Sequence, residues 1–388
     1  MTGGTRLQQV LDEFRSVPEQ AFLLELSRPH LDDSRMAACR RILERGVRWD
    51  LLAVLSVRHG TMPLVCWNLA AHFEDRVPTD ILQDWIRRSQ EGVQRRLLLE
   101  RELVLLMRDF EQEGIPALPF KGPTLARQAY GGLVLRPFED LDILISPRQK
   151  ARAKAFLLRR GARYRWAHLS PARERAAVRA QYHFEFSVGE AALPVELHWR
   201  FLPASMPDPF DPDQLLHRPE PEDLFLLLAA HAAKHRYARL IWLVDFLALI
   251  GSSSVRWEQL LLKSQRLGLC RALRVSLLLT RELLGQPLPD TVERRLSADT
   301  SVDALAAEAF ETAFCAPELQ DGGWREFQFL VRIQERWADR LRHLLRKGML
   351  LFNPTAHEWD RFPLPDPLFF LYYGIRPLRL AGKYIRWR

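Results

Sequence analysis

Two aspartates stand two residues apart in Glu139-Asp140-Leu141-Asp142-Ile143-Leu144-Ile145. On an extended strand such a pair shares one face at roughly 6–7 Å, so Asp140 and Asp142 point one way while Leu141 and Ile143 face a core. Two anions held together in an apolar strand repel each other and lose hydration. A divalent cation removes that conflict, and Mg²⁺ favours one or two carboxylates completed by phosphate oxygens and water. A solvated strand end is the alternative reading. Three features add weight to the metal. Val195-Glu196-Leu197-His198-Trp199 sets a third acid on an alternating strand, with Glu196 and His198 on one face. Lys121-Gly122-Pro123-Thr124 marks a strand-to-helix junction, where free N–H groups and a helix N-terminus favour phosphate. Arg136 lies four residues before Asp140. The chain has no Walker-type phosphate loop, no GxGxxG and no GxSxG elbow.

These residues need a scaffold, and the pattern supplies one. Ile115–Phe120 reads as a short strand, Gly122–Tyr130 as a helix with Pro123 in its first turn, and Leu141–Ile145 as a strand closed by Ser146-Pro147. A basic helix runs from Arg148 to Arg160. Ala162–Trp166, Gln181–Val188 and Leu193–Phe201 read as strands, the last two by alternation. The hundred residues before this unit read as helices, among them Asp50–His59 with Asp50 as N-cap and Gly60 as stop, Thr79–Arg88, and a helix through Leu99–Phe110 ended by Gly114. Pro203–Pro221 reads as a linker. Helices follow at Glu222–His235, Tyr237–Ile250, Trp257–Leu267, Arg271–Leu284, Val302–Phe314 and Trp324–Arg346. The expected fold class is α+β, a small mixed sheet with helices flanked by helical regions. The expected division is 1–97, 98–217 and 218–388, the last ending in a basic tail.

Phe120-Lys121-Gly122, Arg136, Asp140-x-Asp142 and Glu196-Leu197-His198-Trp199 together resemble the nucleotidyltransferase fold of the DNA polymerase beta superfamily. Within it the chain is similar to the uncharacterised NTP_transf_5 type. His231-x-x-x-His235, Leu243-Val244-Asp245 and the stretch from Leu364-Pro365 to Arg376-Pro377-Leu378-Arg379 extend the likeness beyond the core. The resemblance implies transfer of a nucleoside monophosphate from an NTP to a hydroxyl acceptor, with Mg²⁺ or Mn²⁺ held by Asp140, Asp142 and Glu196 and pyrophosphate released. It implies phosphate contacts from Lys121, Gly122, Thr124 and Arg136, and supporting places for His198, Lys234 and His235. The chain departs from the superfamily where Pro123 follows Gly122. That position usually holds Gly or Ser, and Pro has no N–H to donate. Two other readings stay open: transfer to RNA ends, and a catalytically silent nucleotide- or partner-binding protein of the same fold.

Other features carry blander readings. His231 and His235 stand one helical turn apart, a spacing that suits zinc, but Asp245 is the sole further ligand in view. The basic helix holding Arg148, Lys150, Arg152, Lys154, Arg159 and Arg160 reads as a solvated face, with nucleic acid not favoured. The tail carries Arg376, Arg379, Lys383, Arg386 and Arg388 among aromatic residues, which suits an anionic membrane surface or packing on the helical region.

Composition bounds these readings. The 388 residues are 47% hydrophobic and 27% charged, a globular balance. No apolar run approaches the ~18 residues of a membrane span, and no signal-peptide stretch opens the chain. Four scattered cysteines make no disulfide framework, and the expectation is a cytoplasmic protein. A net charge of +8 suits anionic partners. Lys121 is one of seven lysines among 56 cations, which makes it the basic residue of most interest.

Overall fold

The computed structural model describes residues 6–296, 299–315 and 323–385. The chain packs as two compact units. Unit 1 comprises Met1–Leu106, Phe120–Glu139 and Glu220–Glu335; unit 2 comprises Met107–Pro119, Asp140–Pro219 and Arg336–Arg388. The division into three consecutive stretches is therefore cut across by the packing, because each unit draws on three separate segments.

Unit 2 holds the sheet, in the order β1-β2-β5-β4-β3. Its strands are β1 (Ala117–Pro119), β2 (Leu141–Ile145), β3 (Arg163–Tyr164), β4 (His183–Val188) and β5 (Leu193–His198). β2 and β5 run parallel and every other pair is antiparallel. A parallel pair needs a long crossover, here the helices Lys150–Arg159 and Pro171–Arg179 with β3 and β4. All five residues of β2 are buried, as a central strand requires, while β4 and β5 alternate. Leu141, Ile143, Val195, Leu197, Phe184 and Phe186 form the apolar face. The Lys150–Arg159 helix covers it, with Lys150 Nζ 4.5 Å from the Trp199 ring centre and Lys154 Nζ 5.5 Å from that of Phe184. Lys154 also pairs with Glu174, Arg159 with Glu113 and Arg160 with Asp109. Much of the basic helix is thus neutralised within its own unit.

Unit 1 is helical. The buried Cys270–Leu284 helix packs against Pro221–Lys234 and Ile241–Ser252, and the latter packs on Gly122–Tyr130. Among the described residues no helix is long and apolar enough to cross a membrane.

Several local expectations are corrected. Asp50 is not an N-cap: the helix is Trp49–Arg58, and the Glu19 carboxylate, from another helix, accepts the Arg48 N–H at 2.8 Å. Thr79–Arg88 and Leu99–Phe110 belong to one helix, Thr79–Gln112. The Pro203–Pro221 stretch is structured. Asp208 accepts the N–H groups of Phe201 and Leu202, and Asp211 caps a helix at Pro212–His217. Trp324–Arg346 splits into Trp324–Arg332 and Trp337–Leu350. The Arg271 guanidinium takes the freed carbonyls of Arg332 and Gln334. Val302–Phe314 is Thr300–Phe310 followed by a π turn, Glu311–Cys315. In the tail, Arg376 and Arg379 pair with the fully buried Glu358 at 3.0 and 2.6 Å, so these two serve packing. Arg386 and Arg388, and the side chain of Lys383, lie outside the described residues.

Candidate active site

The parallel ladder sets Asp142 of β2 directly opposite Glu196 of β5, and the antiparallel ladder sets Glu185 of β4 opposite Glu196 from the other side. Side chains in register share a face. Three carboxylates therefore form a row across three strands, and the next row along holds His198 and His183, also in register. Asp140, half-buried, stands one residue before β2.

His198 joins the acids. Its Nε2 lies 3.1 Å from Asp142 Oδ1 and 3.1 Å from Glu196 Oε2, and its Nδ1 lies 3.3 Å from the carbonyl of Arg200. Both Asp142 and His198 are buried. Burial disfavours the imidazolium, but the hydrogen bonds and charges of Asp142 and Glu196 outweigh it and raise the His198 pKa. Glu196 shows the counterpart: burial pushes its carboxyl up, while His198 and then His183 pull it below its usual value. His183 Nδ1 stands 3.6 Å from Glu196 Oε2, and its Nε2 3.7 Å from Glu185 Oε1. The Tyr182 ring is 5.5 Å from that of His198. Burial, then the charges of Glu196, Asp142, Glu185 and Asp140, keep its hydroxyl protonated and able to donate.

A cleft of about 350 Å³ opens beside this row, lined by Asp140, Glu185, Glu196, Tyr164, Arg163 and Arg165 among others. The ligand atoms of His183, Glu196 and His198 lie within 4.8 Å of one another, the spacing of a metal centre. Carboxylates with two imidazoles suit a divalent cation, and the nitrogens move the preference from Mg²⁺ toward transition metals such as Mn²⁺.

The remaining predicted residues lie in unit 1. Lys121 precedes the Gly122–Tyr130 helix, and Gly122 takes φ +52, a conformation glycine adopts freely. Lys121 Nζ sits 5.1 Å from the Phe120 ring centre. The Thr124 N–H is turned inward to the Lys121 carbonyl at 3.1 Å. With Pro123 lacking an N–H, the helix start offers fewer donors than the usual loop. The rings of His231 and His235 are 4.8 Å apart and each is within 5.2 Å of that of Trp242. Burial, then Lys121 and Lys234, holds His231 well below its usual pKa. Lys121, Lys234, His231 and His235 thus form one neighbourhood.

Arg136 is engaged more firmly than its motif suggests. Its Nε and Nη2 donate to the two oxygens of Asp245 at 2.7 and 3.0 Å, and Tyr130 adds a third bond at 2.8 Å. Asp245, considered above as a zinc ligand, is instead a fully buried partner of Arg136. Sequence reading also missed Glu185 and His183 as site residues. The signal was present: His183-x-Glu185 and Glu196-x-His198 mirror one another across a turn at Gly189. An antiparallel hairpin in this register sets His opposite His and Glu opposite Glu.

A small mixed sheet, flanked by helices, with acids gathered on its paired central strands is the framework of a nucleotidyltransferase. The chain belongs to a family described as uncharacterised nucleotidyltransferase, NTP_transf_5, whose sequence model matches residues 45–285. No curated protein and no solved structure matches it.

Proposed function

We propose that the protein transfers a nucleoside monophosphate from an NTP to a hydroxyl-bearing small molecule, peptide or protein, and releases pyrophosphate. The observation that carries this reading is the in-register pairing of Asp142 with Glu196, both in contact with His198. Asp140, Asp142 and Glu196 would hold Mg²⁺ or Mn²⁺, with His183 and His198 beside them. When bound, the cation neutralises phosphate charge and lowers the pKa of a coordinated hydroxyl.

The protein's own groups do the rest. Glu196, whose carboxyl is held below its usual pKa by His198 and His183, would accept the acceptor's proton as its oxygen attacks the α-phosphorus and the bond to pyrophosphate breaks. Tyr182 stays protonated and offers a hydrogen bond to developing negative charge. Lys121, Gly122 and Thr124 are proposed phosphate contacts on the strength of the family motif. Arg136, held by Asp245, supports the helix that carries them. We assign the protein to the cytoplasm, where the exposed thiol of Cys315 would stay reduced.

A second reading has its own support. His198 bridges Asp142 and Glu196, whose charges favour its protonated form, a state that would offset theirs as a cation does, and Pro123 removes a phosphate donor. Both features suit a silent nucleotide-binding protein. Incubating the protein and a cell extract with α-³²P-labelled NTPs and Mg²⁺ or Mn²⁺ separates the two. Label that becomes attached to an extract component supports transfer. NTP binding without such labelling supports the silent protein.

A further inference from the structure

The helix Trp337–Leu350 of unit 2 turns an apolar stripe to solvent. Trp337, Leu341, Leu344, Leu345 and Met349 recur at the spacing of one helical face. All five are exposed, Trp337 at 76% and Met349 at 66%. The opposite side of the helix is the one that packs. His343 is buried there, and the Arg346 guanidinium donates to the Met206 carbonyl at 2.8 Å. A helix shaped by folding alone does the reverse, with apolar residues inward and polar residues outward. The exposure is also local. Of the 23 large apolar side chains exposed among the described residues, twelve fall between Trp337 and Leu378, a concentration that marks a contact surface rather than scattered surface residues.

The same segment carries the charge. Residues 336–388 hold eleven Lys and Arg against four Asp and Glu, a net +7, while the other 335 residues sum to +1. At about 100° per residue, Arg340 and Lys347 fall along one edge of the stripe and Arg342 along the other. Asp339 is the one acid of the helix, and Arg342 donates to it at 2.8 Å. We propose that this helix seats the protein on an anionic membrane surface, with the stripe in the acyl boundary and Arg340, Arg342 and Lys347 among the headgroups. An apolar face edged by cations, whose stems lie along apolar surface while their charges reach water, is the pattern of an interfacial helix. Other occupants fit less well. A nucleic acid would meet Trp, Leu and Met at the centre of the face and cations only at its rim. A second copy would set cationic edges against cationic edges, with a single acid already engaged. Arg376 and Arg379 are held by Glu358, so the contact is assigned to this helix and not to them. The inference does not rest on the transferase reading.

The test sediments the full chain with vesicles of phosphatidylcholine alone and of phosphatidylcholine with roughly one third phosphatidylserine. The parent partitions onto the anionic vesicles about tenfold or more better than onto the neutral ones, and less so as salt rises. Leu345→Ser combined with Met349→Ser weakens the partition about tenfold or more, the size of an apolar side chain left out of the bilayer. Lys347→Gln weakens it roughly fivefold, the share of one cation near an anionic surface. These three positions are exposed, so circular dichroism of the variants should match the parent. Asp142→Asn binds vesicles as the parent does, which separates this inference from the reaction. The proposal is overturned if the parent sediments no better with anionic than with neutral vesicles, or if the Leu345 and Met349 double variant binds as the parent does. A dimer in ultracentrifugation that this double variant splits, with no vesicle binding, would overturn it in favour of a contact between copies.

Discussion

Asp142 and Glu196 face each other across the β2–β5 ladder, and one nitrogen of His198 stands 3.1 Å from an oxygen of each. Neither acid is near the other in sequence. The parallel crossover brings them together, and burial makes their charges matter.

Removing His198 leaves that conflict uncompensated. His198→Ala should lower stability by roughly 3–5 kcal/mol in metal-free buffer, the cost of breaking a buried ion pair. Added Mn²⁺ should stabilise the variant less than it stabilises the parent, because one of the ligand nitrogens is gone. Urea denaturation with and without Mn²⁺ measures both. Equal stabilisation of the two proteins would remove the metal from this position.

Arg136 and Asp245 form a buried pair whose partners depend on each other. Asp245→Asn should destabilise the protein by roughly 3–5 kcal/mol. Arg136→Met combined with Asp245→Leu should cost less than the sum of the single changes, since no lone charge remains. A double-mutant cycle on denaturation midpoints checks this. Additive losses would show that the pair is not coupled.

Two buried histidines should make stability acid-sensitive. Burial lowers His59 to about 3 and His343 to about 4. Both are below the ordinary value of 6.5, so the unfolded chain binds their protons first. Their contribution is full above pH 6.5 and is lost as pH falls toward those values, at about 1.4 kcal/mol per pH unit for each group. Denaturation at pH 7, 6 and 5 should show the fall. His59→Gln, which leaves the Phe314 stack, should make it shallower. An unchanged slope in that variant would contradict the assignment.

Glu358 produces a separate loss at lower pH. Burial raises its carboxyl, but bonds from Thr355, Arg379 and Arg376 prevail and hold it at about 2. Its contribution is present above the usual 4.5 and disappears between there and about 2. Glu358→Gln should remove this limb and loosen the Tyr372–Ile385 helix at neutral pH. Hydrogen exchange of that helix, compared with the parent, reads the effect. Parent-like protection would show that Glu358 does not fasten it.

The sequence shows the parts of this protein that local chemistry determines. Leu141–Ile145 and Gly122–Tyr130 are legible because alternation and an N1 proline are local signals. The second phosphate-side cation is less so, since Arg136 is claimed by Asp245, more than a hundred residues away. Asp50 misleads for the same reason: the donor at the helix start is met by Glu19, which only tertiary packing delivers. The break at residues 333–336 is invisible to periodicity because the amphipathic pattern continues through it. Glu185 and His183 stood in plain view but needed the hairpin register to join the row.

The most direct test of the account is pyrophosphate release from Mg-NTP or Mn-NTP by the parent and by Asp142→Asn, in the presence of cell extract as acceptor source. The account predicts release by the parent and a loss of roughly a thousandfold or more in the variant, with unchanged circular dichroism. Full metal-dependent release by Asp142→Asn would contradict it.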